Sequence, residues 1–257
     1  MNNTIRKCTK LFIFAVLAVG FLAIPRFALA GADQDVAGAV KSKLDKSQYK
    51  NVQVSVDANG IATLSGTVSL YEYKADADKT AHKVKGVVAV RDDITVAGPN
   101  ISDAQLQKSL SEKLSYDRVG YGNVFDAITL QVQNGVVTLG GSTHDYPNRD
   151  SALGLVSTTP GVKDVVDEIS VDPVSPMDDQ IRVRVAQSVY GFPTLNKYAI
   201  DPAKPIRISV QNGNVALYGV VDSEADKDAA GIRANTVPGV FSVKNDLQVA
   251  GQPAEHQ

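Results

Sequence analysis

The chain is poor in the side chains that do chemistry. It has one cysteine, Cys8, and three histidines, His82, His144 and His256, in 257 residues. Cys8 falls in the N-terminal segment, so the rest of the chain can form no disulfide and offers no thiolate. No histidine has a metal-ligand spacing such as His-x-x-Glu-His. His82 falls on a charged helical face, His144 opens a predicted helix and His256 lies near the end, so each reads as a solvated surface side chain. There is no Gly-x-Ser-x-Gly elbow and no Gly-x-x-x-x-Gly-Lys-Ser/Thr phosphate loop. No enzymatic activity, cofactor or metal is expected.

A surplus of positive charge is also missing. Residues 1–30 read as a cleaved signal peptide, with basic Arg6, Lys7 and Lys10, an apolar run from Leu11 to Ile24 and an Ala28-Leu29-Ala30 cleavage signal. That run falls short of the roughly 20 residues of a membrane span. The expected location is periplasmic, after a cut near Ala30. The segment takes four basic residues with it, leaving 22 against 28 acidic, a net charge of −6. This argues against nucleic acid as a partner and against a purely electrostatic grip on anionic lipid. No later stretch is long and apolar enough to span a bilayer.

What the sequence does have is repetition. Gln133-Asn134-Gly135-Val136-Val137-Thr138-Leu139-Gly140-Gly141 is a hairpin turn followed by a short strand. It recurs as Ala58-Asn59-Gly60-Ile61-Ala62-Thr63-Leu64-Ser65-Gly66 and as Gln211-Asn212-Gly213-Asn214-Val215-Ala216-Leu217-Tyr218-Gly219. Gly60, Gly135 and Gly213 are separated by 75 and 78 residues. The same offsets relate Gly66, Gly141 and Gly219, and also Gly86, Gly161 and Gly239, each followed by valine. A period this long marks a domain, not a solenoid repeat of roughly 20–50 residues. Asn-Gly predicts a type I′ turn, which needs φ > 0 at both central residues.

The periodicity gives each copy the order α-β-β-α-β. In the first copy (33–97), Val36, Val40 and Leu44 recur at helical spacing, and Val52, Val54 and Val56 alternate as in a half-buried strand. A second helix over 71–85 turns Ala77 and Ala81 inward and ends at Gly86 as a C′ glycine. The second copy (101–172) opens on the capping box Ser102-x-x-Gln105. The third (177–250) opens on Asp178-Asp179, read as acids at a helix N-terminus in preference to a calcium site. Residues 251–257 read as a flexible tail. The glycines at 66, 141 and 219 share a strand face with the preceding leucines, which suggests helices lying close on the sheet there. Asp92, Asp167 and Asn245 occupy one repeat position and read as local hydrogen-bonding residues near a strand kink.

The pattern of helix, strand, Asn-Gly, x-Val/Ala-x-Leu-x-Gly, Ala-rich helix and Gly-Val-x-x-Val-x-Asp/Asn-x-Ile/Leu-x-Val resembles the BON domain, in three copies. The first copy departs from the others, with Lys85 where they have Pro160 and Pro238 and a hairpin loop one residue longer. The resemblance implies an α+β fold of three tandem αββαβ modules, each a three-stranded mixed sheet with two helices on one face. It also implies a non-catalytic module of the cell envelope that binds phospholipid or associates with envelope proteins.

Two regions offer themselves as contacts. The loop from Tyr116 to Phe125 places Arg118 between Tyr116 and Tyr121. Such a loop suits a lipid interface, or else seals the edge of its own module. Ala216, Tyr218 and Val220 share the outer side of a strand in the third copy. They form either an interaction patch or a packing face for a neighbouring module. The leading expectation is a peripheral phospholipid-binding protein supporting envelope integrity under stress. The alternative is a protein-binding adaptor or chaperone-like factor using exposed sheet edges.

Overall fold

The computed structural model describes residues 30–116 and 122–251. The predicted leader and most of the predicted tail lie outside them.

The expected α+β architecture is present. Helix α1 (Ala30–Lys43) precedes strands β1 (Val52–Val56) and β2 (Ile61–Val68), helix α2 (Tyr71–His82) and strand β3 (Ala89–Val96). The second unit has α3 (Asp103–Tyr116), the short α4 (Gly122–Phe125), β4 (Ala127–Gln133), β5 (Val136–Thr143), α5 (Tyr146–Ser157), β6 (Asp164–Asp167) and β7 (Ser170–Val171). The third has α6 (Pro176–Tyr190), the short α7 (Lys197–Ile200), β8 (Arg207–Gln211), β9 (Asn214–Val221), α8 (Glu224–Asn235) and β10 (Ser242–Val249). Each sheet is mixed. The hairpin pair runs antiparallel and the last strand returns parallel to the middle one, as in β1-β2-β3. In the second unit the last strand is interrupted, so β6 and β7 both pair with β5.

Each sheet carries its own core, built from the residues that the periodicity turned inward. Val40 and Leu44 of the first helix region, Leu64, Ala77, Ala81 and Ile94 form one cluster. Leu106, Leu110, Leu139, Ala152 and Val156 form the second. Ile181, Val185, Leu217, Ala230, Ala234 and Leu247 belong to the third. The small alanines let the second helix lie close on the sheet.

Three sequence expectations need correction. The first concerns the turns. Asn134 and Asn212 have φ of 55° and 52°, followed by Gly135 at 80° and Gly213 at 76°, as a type I′ turn requires. In the first copy only Gly60 is left-handed, at 76°. There the extra residue builds a longer loop around Asp57, whose carboxylate accepts from the N–H groups of Asn59 and Ile61, both at 2.9 Å.

The second concerns the glycines within strand two of each copy. A Cβ on Gly141 would lie 1.9 Å from the carbonyl oxygen of Ala127, and one on Gly66 2.0 Å from that of Asn51. What demands glycine is therefore the backbone leading into the first strand, not an overlying helix. The third concerns Gly86. Helix α2 is capped at Lys83, and Gly86 lies in a following turn. Its site, and those of Gly161 and Gly239, receive the side chains of Val36 in α1, Ile101 just before α3 and Ile181 in α6.

Candidate functional site

The modules are joined by side chains that cross between them. Phe125 was expected at the surface, yet it is only 5% exposed and packs into the core of the third module. Helix α4 lies against β8, so Val124 and Phe125 seal the neighbouring module and not their own. Phe125 is thereby withdrawn from any lipid contact. Tyr116 remains on the surface at 57% exposure, and its hydroxyl donates to Asp201 across the joint at 3.3 Å. Arg118 and Tyr121 lie outside the described residues.

His144 is likewise not the solvated histidine expected. Its ring is half-buried, edge-on to Phe125 at 5.7 Å, with Nδ1 2.9 Å from the buried carboxylate of Asp126. The Asp126 hydrogen bond holds the imidazole pKa above its ordinary 6.5. Burial opposes this, the charges of Asp126 and Asp145 add to it, and Arg182 opposes it. A raised folded-state pKa contributes stability that is complete below 6.5 and is lost as pH climbs through the folded value. An imidazole NMR titration of His144 will therefore have its midpoint above 6.5. Thermal unfolding of His144→Gln will lose the fall in stability that the wild-type chain shows over that pH range.

Below this joint lies a buried ion pair that sequence reasoning missed. Arg182 is 2% exposed and donates to Asp172 at 2.9 Å, to the Val210 carbonyl at 2.9 Å and to Asp179 at 2.5 Å. Asp172, which opens the proline-bearing linker 172–176 between the second and third copies, also accepts from Gln211 at 2.7 Å. The linker is thus tied to α6 and β8. Only the helical phase of Arg182, one residue past the apolar Ile181, hinted at burial.

The acids at the helix starts have a role beyond capping. Both carboxylate oxygens of Asp178 accept hairpin N–H groups, from Asn212 at 2.9 Å and Gly213 at 2.8 Å. Asp103 does the same for Asn134 and Gly135 at 2.7 and 2.9 Å. Burial pushes the Asp178 pKa up, but the two N–H donors, Ser175 and Arg182 outweigh it, so the group lies below the usual carboxylate range. Asp179 is committed to Arg182. Among the described residues no cluster of three His, Cys, Asp or Glu side chains could hold a metal ion.

Asp92, Asp167 and Asn245 do make local bonds, and the structure supplies the partner. Each side chain accepts from the N–H two residues on, at 2.9, 3.1 and 3.4 Å. These residues sit on the last strand, an edge of each sheet. The side chain thus satisfies an edge donor that another strand would need, which works against strand addition at this edge.

The strand-two patch is more charged than expected. Val220 is 46% exposed, while Ala216 and Tyr218 are half-buried. Tyr218 lies between Arg207 and Asp246 in the sheet register, and Lys244 pairs with Asp246 at 3.0 Å. One aromatic ring ringed by charge is not a broad apolar surface.

A different feature suits an anionic surface. At the end of the first helix, Lys41, Lys46 and Lys50, with the single carboxylate Asp45 among them, rim a cavity of about 300 Å³ whose floor includes Leu44, Tyr49, Val52 and Val54. The three lysines are exposed. Sequence reasoning saw this segment only as a helix end. The surrounding charge is uneven: residues 33–97 carry nine basic and nine acidic side chains, residues 101–172 five and ten, and residues 177–250 eight and eight. The net negative charge of the three-module region resides in the middle module. Among the described residues no helix is long and apolar enough to cross a membrane.

Comparison with known proteins places these modules. The osmotically-inducible protein Y of Escherichia coli (strain K12) is 26% identical over 144 residues, covering 54% of this chain and 71% of that protein. Among solved structures, the C-terminal domain of CdsD, a structural protein of the type III secretion system of Chlamydia trachomatis, matches at 16% identity. That match covers 86% of this chain and 96% of that one, with a TM-score of 0.23. The periplasmic domain of the type III secretion inner-membrane protein PrgH from S. typhimurium matches at 12% identity, covering 84% and 100%, with a TM-score of 0.22. The BON domain model matches residues 32–98, 102–173 and 193–251, one segment for each of the three sheets, so the chain belongs to the BON-domain family.

Proposed function

We propose that this chain is a non-catalytic protein of the bacterial periplasm or envelope that rests on anionic phospholipid. The observation that carries the reading is the lysine shelf of the first module, where Lys41, Lys46 and Lys50 outnumber Asp45 around an apolar-floored hollow. Lysines near a membrane surface each add to attraction for anionic headgroups, and the hollow can take apolar surface beside them. The middle module, with twice as many acidic as basic side chains, is repelled by the same surface. The chain therefore approaches with its first module leading. A second contact is assigned to Tyr116, Arg118 and Tyr121, of which Tyr116 is exposed and bonded to Asp201 of the next module, where the preceding Ile200 is 75% exposed. BON-family membership and the relative named for osmotic induction support an envelope role under stress.

The test is co-sedimentation of the chain lacking residues 1–30 with phosphatidylglycerol-containing vesicles. Lys41→Ala/Lys46→Ala/Lys50→Ala is expected to weaken binding on the order of 100-fold at low salt, with Tyr116→Ala giving a smaller loss. Raising the salt will weaken the wild-type chain toward the triple variant. Equal pelleting of the triple variant, or no pelleting with any vesicle, would remove the proposal.

A further inference from the structure

We propose that the groove between α2 and α5 docks a lysine- or arginine-bearing segment of another polypeptide. It goes beyond the lipid reading and uses a different surface. The groove has a volume of about 660 Å³ and is shared by the first and second modules. Its floor is small and apolar, with Ala75 from one helix and Leu153 and Gly154 from the other. A Cβ placed on Gly154 meets nothing within 4 Å, so the floor has room for a side chain from above.

The rims are acidic on both sides. Glu72 and Asp76 stand on α2, and Asp150 stands on α5. All three are exposed. Asp76 accepts the Tyr49 hydroxyl at 2.7 Å, which leaves its charge in place. Asp167 also lines the groove but is ion-paired with Arg149, and Lys79 is the one further cation on the wall. The balance on the walls is negative: three exposed carboxylates, two from the first module and one from the second, stand against Lys79.

Burial raises the pKa of Asp92; the Ile94 N–H and Lys74 oppose the rise, and the charges of Asp78 and Asp164 add to it. The exposed carboxylates of Glu72, Asp76 and Asp150 repel a phosphate headgroup and draw in a cation. The shape completes the match: carboxylates on two helices flank an apolar floor. A segment that alternates basic and apolar side chains satisfies both at once. Rim charges of this kind set partner choice and encounter rate.

The measurement is fluorescence anisotropy of a labelled peptide of repeated Lys-Leu-Ala-Lys units, titrated with the chain lacking residues 1–30. Its counterpart of repeated Glu-Leu-Ala-Glu units serves as the control and is expected not to bind. Glu72→Lys/Asp150→Lys is expected to weaken binding by about tenfold or more. Glu112→Lys/Glu168→Lys makes the same change in net charge outside the groove and is expected to stay within about twofold of the unmodified chain. Thermal unfolding of both variants will verify that they are folded. Equal losses in the two double variants would reduce the effect to overall charge and overturn the assignment. So would absence of binding, or binding of the acidic peptide. The lysine-shelf triple variant should bind the basic peptide undiminished, which separates this result from that of the vesicle experiment.

Discussion

Arg182→Ala lowers the stability of the third module by about 3–5 kcal/mol. The substitution leaves Asp172, itself 4% exposed, with no cation in a place that water does not reach. It also strips a donor from the Val210 carbonyl. A module of this size stands only a few kcal/mol above unfolding, so the loss should empty its folded state. Hydrogen exchange will detect this as loss of protection in α6 and β8–β9, with protection kept in the first module. Removing both charges is a different experiment. Asp172→Leu/Arg182→Met takes away the desolvated pair together and should recover much of the stability. If Arg182→Ala is neutral, the pair does not hold the linker to the third module.

The second large effect is at Gly141. Its φ of 84° lies in the left-handed region, and a Cβ would come within 1.9 Å of the Ala127 carbonyl oxygen. Gly141→Ala must therefore distort the entry to β4 as well as strain its own backbone, at a cost of at least about 2–3 kcal/mol. Gly154 gives the opposite result. It lies inside α5 with nothing within 4 Å of its Cβ position, so Gly154→Ala should stabilise by about 0.5–1 kcal/mol. Denaturant unfolding of the two variants side by side tests both signs. Similar effects at the two glycines would mean that neither the turn geometry nor the clash is as described.

This contrast shows where sequence reasoning reached and where it stopped. That Gly66, Gly141 and Gly219 are glycines for a structural reason is visible in the repeat. The reason itself was not, because the clashing carbonyl belongs to a residue about 14 or 15 positions earlier, beside a strand whose register had to be known. The Asn-Gly turns behave likewise. Two copies take the conformation their residues favour, and in the first a single extra residue lets Asp57 organise a different loop. Asp178 looked like a helix cap because its sequence neighbours are helical. Its carboxylate in fact grips a hairpin more than thirty positions away.

The binding surfaces were harder still. Tyr116 was legible as an exposed aromatic, whereas Phe125 from the same loop is buried in the next module. Nothing in the hydropathy of the loop separates the two, since only the docking of α4 on β8 decides which ring is covered. The lysine shelf gathers side chains from the end of one helix and the turn after it, with two strand valines as floor. The groove between α2 and α5 needs residues from two modules at once.

The amino-acid pattern alone fixed the threefold repeat, the order of helices and strands in each unit and the inward face of each element. Those depend on periods of 2 and 3.6 residues and on turn propensities, which act between near neighbours along the chain. The three-dimensional arrangement decided that Arg182 is inside and His144 half-covered against Asp126, that Phe125 crosses a joint and that acidic walls face each other across a groove. These are meetings of distant segments, and their energies come from burial and charge pairing that exist only once the modules are packed together.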